Sequence, residues 1–99
     1  MTPEQELEKE KEKVQMASYA QQVVNNPAYK AAMALIRGKL LDEFNKLSFK
    51  DIDDLQEIKR RLSTVEGFQS ILESTMRSGK IAEEKVSRLS KFINKIGIR

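Results

Sequence analysis

At 99 residues, with 39% hydrophobic and 33% charged side chains and a net charge of +3, the chain has the composition of one small helical domain, not of a disordered or membrane protein. Without cysteine it has no disulfides, thiolate metal sites or cysteine nucleophiles, and without histidine it lacks the usual general base and the commonest metal ligand. The acidic, polar start Met1-Thr2-Pro3-Glu4-Gln5-Glu6 is unlike a signal peptide and no apolar run reaches membrane-spanning length, so a cytoplasmic protein with no membrane partner is expected.

Thr2, Pro3 and Gln5 have the spacing of a capping box with proline at the first helical position, and they predict a first helix running to about Val24. Its opening stretch pairs Glu6 with Glu10, Glu8 with Glu12 and Lys9 with Lys13 one turn apart, so residues 1–13 read as a charged arm that is solvated or frays. Apolar residues arrive with Val14, Ala17, Ala20, Val23 and Val24. Asn25-Asn26-Pro27 is the clearest boundary, because Asn26 can cap the next helix while Pro27 fills a position whose amide would be unpaired anyway.

The second helix is predicted over 27–46, with a seam of Tyr29, Met33, Ile36, Leu40, Phe44 and Leu47 at steps of three and four. Ala31, Ala34 and Gly38 mark its other side. Gly38 reads either as a tolerated surface residue costing about 1 kcal/mol in propensity, or as the site where a second neighbour approaches closely and sandwiches the helix.

Ser48 and Asp51 are spaced as a capping box for a third helix, joined to the second by a tight turn in an antiparallel hairpin. That helix carries the strongest periodicity in the chain: Leu55, Ile58, Leu62, Val65, Gln69, Leu72 and Met76 form a heptad seam, implying coiled-coil-like packing and oligomerisation. Gln69 is the polar seam member expected to fix register or oligomer number, so that Gln69→Leu should strengthen association and blur its stoichiometry. Gly79 is expected to end this helix near Arg77 by taking a left-handed conformation. A fourth helix, from about Ile81 to Ile96, has its own seam of Ala82, Val86, Leu89, Ile93 and Ile96, and Gly97 ends it.

The expected fold is therefore all-α. An antiparallel hairpin of the second and third helices carries an N-terminal helical arm and a basic C-terminal helix. The single domain divides into a charged arm (1–13), a helical core (14–79) and a basic amphipathic helix (80–99).

Chemistry is sparse. Asp51, Asp53, Asp54 and Glu57 could hold Mg²⁺, but acidic side chains are favoured in a first helical turn by the helix dipole, and that structural reading is preferred. Lys59-Arg60-Arg61-Leu62-Ser63 resembles a kinase site, yet inside a helix it reads as a solvated face. Tyr19, Tyr29, Phe44, Phe49, Phe68 and Phe92 lie among apolar neighbours and read as packing, not as base-stacking platforms. No phosphate loop, carboxylate pair or activated nucleophile can be assembled, so neither an enzyme nor a cofactor is expected.

One electrostatic feature remains. From Arg77 onward seven basic residues face only Glu83 and Glu84, and Lys85, Arg88, Lys91, Lys95 and Arg99 fall on one flank of the fourth helix, offset from its seam. Such a ridge suits nucleic acid, an acidic protein surface or anionic lipid, and equally the plain preference of cations for helix C-termini.

At Asn26-Pro27-Ala28-Tyr29-Lys30, the helix after it, the turn Lys50-Asp51-Ile52-Asp53-Asp54 and the run Leu72-Glu73-Ser74-Thr75-Met76-Arg77-Ser78-Gly79-Lys80-Ile81-Ala82, the chain resembles small helical proteins encoded among the virion genes of tailed bacteriophages. The resemblance spans roughly residues 20–84 and implies a phage setting more than an activity. It leads to the expectation of a non-enzymatic oligomeric assembly protein, found in the host cytoplasm or the virion and binding itself and other phage proteins. Two alternatives are a DNA-binding packaging factor resembling the small terminase subunit and an intracellular phage protein that sequesters a host factor or nucleotide. Against the first, the loops after Val24 and Leu47 lack the glycine-bearing turn of a helix-turn-helix.

Overall fold

The computed structural model describes residues 1–97; Arg99, the last member of the basic ridge, lies outside them. It is all-α, with α1 over Pro3–Asn25, α2 over Pro27–Lys46 and α3 over Ile52–Lys95.

Local chemistry places the starts of α1 and α2. The Thr2 amide donates to Gln5 Oε1 at 2.9 Å and the Gln5 amide to Thr2 Oγ1 at 3.1 Å, a complete capping box. Asn26 has an extended backbone, and its Oδ1 accepts from the Ala28 and Tyr29 amides at 2.8 and 3.1 Å, so one residue closes α1 and opens α2. Before α3, the Ser48 amide donates to Asp51 Oδ2 at 2.9 Å, but Ser48 Oγ takes the Lys50 amide, and the helix begins at Ile52.

The largest departure from expectation is at Gly79. The helix does not stop near Arg77: α3 continues through Gly79 for 44 residues, and among the described residues only Gly97 has a positive φ, +71°. The predicted third and fourth helices are thus one element. Gly79 is buried, and a Cβ added there would overlap the Cβ of Ala17 and come within 3.6 Å of the Lys13 carbonyl oxygen. Its function is close approach between helices, and the packing gained outweighs a propensity cost of about 1 kcal/mol. With no proline nearby, nothing forces the backbone out of the helix.

The seam of α3 is correspondingly one stripe. From Leu55 to Gly79 buried and half-buried residues recur at alternating steps of three and four; a second step of three reaches Ala82, and the alternation resumes through Val86, Leu89 and Ile93. Ala82 is fully buried, whereas Ile96, expected on the seam, lies beyond the helix and is 48% exposed.

The chain forms two compact units, residues 1–22 with 72–99, and residues 23–71. In the first, α1 lies antiparallel to the C-terminal part of α3, with Ala17 against Gly79 and Glu10 beside Lys85. In the second, α2 lies antiparallel to the N-terminal part of α3 around Leu40 and Ile58, the expected hairpin. Tyr29 and Phe68 meet there with ring centroids 6.2 Å apart.

Candidate interaction surfaces

Burial of α3 seam residues within the chain is only partial. Ile58 is buried, while Leu55, Leu62, Val65, Gln69, Leu72 and Met76 are half-buried. Gln69 has a partner inside its own unit, since Arg37 of α2 donates to its Oε1. Ala31, Ala34 and Gly38 are exposed, and a Cβ on Gly38 would meet nothing within 4 Å, so among the described residues no second neighbour approaches α2 on this side.

The acidic start of α3 does not converge on a cation site. Asp51 is held by the Ser48 amide, and Glu57 pairs with Arg60 at 3.1 Å and Arg61 at 3.3 Å. Among the described residues no group of three potential ligands is placed to hold a metal. Two basic residues of the kinase-like stretch are the ones that Glu57 engages.

The basic ridge divides. Lys85 is half-buried and its Nζ lies 3.9 Å from Glu10 Oε1, whereas Arg88, Lys91 and Lys95 are exposed. At about 100° per residue these three point away from Val86, Leu89 and Ile93.

Glu10 went unrecognised in the sequence. It is 5% exposed, its Oε1 is 3.2 Å from Lys13 Nζ, and its Oε2 is buried without a hydrogen-bond partner among the described residues. The like-charge pairs of the arm disguised its place on the inward face of α1, where Val14, Ala17 and Ala20 also lie. The antiparallel packing brings this acidic segment beside the basic end of α3, so part of the charge polarity is compensated within the unit.

The exposed apolar side chains form the most extensive surface feature. Met16, Tyr19, Ile81, Phe92 and Ile96 of the first unit are 48–58% exposed, and Leu35, Leu41, Phe44, Phe49 and Ile71 of the second are 51–82% exposed. No large side chain is fully buried among the described residues. No described helix is long and apolar enough to cross a membrane. Comparison with protein-family models, with curated proteins and with solved structures gave no match.

Proposed function

We propose that this chain is a non-enzymatic, oligomeric assembly protein that binds copies of itself and other proteins by helix packing. The carrying observation is the unburied apolar surface: half-exposed Met, Tyr, Leu, Ile and Phe side chains on both units, with no fully buried large side chain among the described residues of either. Apolar patches beyond a few hundred Å² on a small chain mark interaction sites. The tailed-phage setting belongs to this proposal through the turns and apolar positions of residues 20–84 alone. Sedimentation of the full chain at micromolar concentration should give a mass that is a multiple of 11.4 kDa. A stable monomer would overturn the reading.

A second reading, a DNA-packaging role, is favoured by Arg88, Lys91 and Lys95, which are solvent-facing and have no carboxylate within ion-pair distance among the described residues. Three phosphate contacts would give a log–log salt dependence of duplex binding with slope of about −3. Binding left intact by Lys91→Glu with Lys95→Glu would remove this reading.

A further inference from the structure

We infer that α2 is a releasable strap, which opens from α3 as a unit while the α1/α3 pair stays folded and so uncovers the heptad seam of α3 from Leu55 to Gln69. The inference goes beyond the assembly reading and does not rest on it.

The two helices that lie on α3 are held differently. Of the 20 residues of α2, 17 are exposed: Leu40 alone is buried, and Tyr29 and Met33 are half-buried. Ile36 and Phe44, which the spacing assigns to the same seam, remain 41 and 51% exposed. Of the 23 residues of α1, by contrast, eight are buried or half-buried. Glu10 also pairs α1 with Lys85 of α3, whereas among the described residues no ion pair joins α2 to α3. Besides Leu40, α2 is held by the ring contact of Tyr29 with Phe68 and by the hydrogen bond from Arg37 to Gln69, and both are open to water.

Away from α3, little keeps α2 helical. A helix of 20 residues is marginal in water without tertiary packing. Gly38 in its middle weakens it further, and Lys30 near its start with Asp42 and Glu43 near its end oppose the helix dipole. Leaving α3 and melting are therefore one event, and a segment with so few buried apolar side chains opens at a free energy below that of global unfolding. The C-terminal part of α3 has separate support, because α1 packs there against the buried Gly79. What the opening uncovers is the most regular seam of the chain, Leu55, Ile58, Leu62, Val65 and Gln69, of which only Ile58 is buried when α2 is closed.

The test is native-state hydrogen exchange of the full chain, read by mass spectrometry of peptides from each helix, with Gly38→Ala and Glu10→Leu as variants. Neither substitution opposes folding, since a Cβ on Gly38 meets nothing within 4 Å and Glu10→Leu removes a buried oxygen without a hydrogen-bond partner. We expect protection factors in α2 to be at least about tenfold lower than the highest in α1 and α3. Gly38→Ala should raise those of α2 by about fivefold, the propensity of alanine over glycine. Glu10→Leu acts on the other unit and should raise protection in α1 while leaving α2 unchanged. If α2 is as protected as α1, or gains as much as α1 from Glu10→Leu, it opens only with the whole chain and the inference is overturned. Gly38→Ala without effect on α2 would overturn it as well.

Discussion

Substituting alanine at each of three helical glycines separates propensity from packing, because Gly38, Gly67 and Gly79 share a backbone conformation and differ in what surrounds them. At Gly38 and Gly67 a Cβ meets nothing within 4 Å. Each alanine therefore gains about 1 kcal/mol of helix propensity with no opposing contact. At Gly79 the same gain is set against overlap with the Ala17 Cβ. That atom is bonded directly to the backbone and cannot rotate away, so α1 must move off α3, and overpacking of this kind costs about 3 kcal/mol at the upper end of the usual range. Net destabilisation should be about 2 kcal/mol, opposite in sign to the other two. For a domain of this size about 1 kcal/mol corresponds to 4–8 °C, so Gly38→Ala and Gly67→Ala should raise the melting temperature by about that much, and Gly79→Ala should lower it by about 8–16 °C. Thermal unfolding followed by circular dichroism reads all three. Exchanging the pair, Ala17→Gly with Gly79→Ala, should restore most of the loss, a coupling of about 2–3 kcal/mol in a double-mutant cycle. A Gly79→Ala protein as stable as Gly67→Ala would refute the close approach of α1 and α3.

Further outcomes follow from named contacts. Glu10→Leu removes a buried carboxylate with an unsatisfied oxygen, while Lys13 and Lys85, each more than 40% exposed, can turn to water; chemical denaturation should show a gain of about 1 kcal/mol. Lys85→Met, which leaves Glu10 with Lys13 alone, should shift the same midpoint the other way. Asn26→Ala deletes both capping hydrogen bonds to α2 and should cost about 1 kcal/mol, most of it recovered by Asn26→Asp. Because Gln69 already has Arg37 as its partner, Gln69→Leu should leave the native mass distribution unchanged; a broadened distribution would show that Gln69 reads a second copy.

Features set by neighbouring residues were legible in the sequence. The Thr2/Gln5 box, the Asn26-Pro27 junction, the span of α2 and the left-handed Gly97 all follow from chemistry within four residues, and the seam from Leu55 to Met76 follows from periodicity. Gly79 was not legible in the same way. Glycine serves both a helix stop and a close helix crossing, and the choice between them rests on Ala17, far away in sequence. Glu10 was hidden for a related reason, since its placement comes from the packing of α1 against Gly79 and Lys85 and not from its charged neighbours. Likewise the basic ridge could be counted, but only the antiparallel packing separates Lys85, committed to Glu10, from Arg88, Lys91 and Lys95, which face solvent.

The central claim is that the sparse interior of one chain is completed by association, so stability should depend on protein concentration. If unfolding is coupled to dissociation of a dimer, each tenfold dilution lowers the melting temperature by roughly 3 °C, from the mass-action term of about 1.4 kcal/mol set against the unfolding entropy of two chains. Melting curves of the full chain across a hundredfold concentration range measure this directly. The account predicts a steady fall on dilution, and a melting temperature independent of concentration would contradict it.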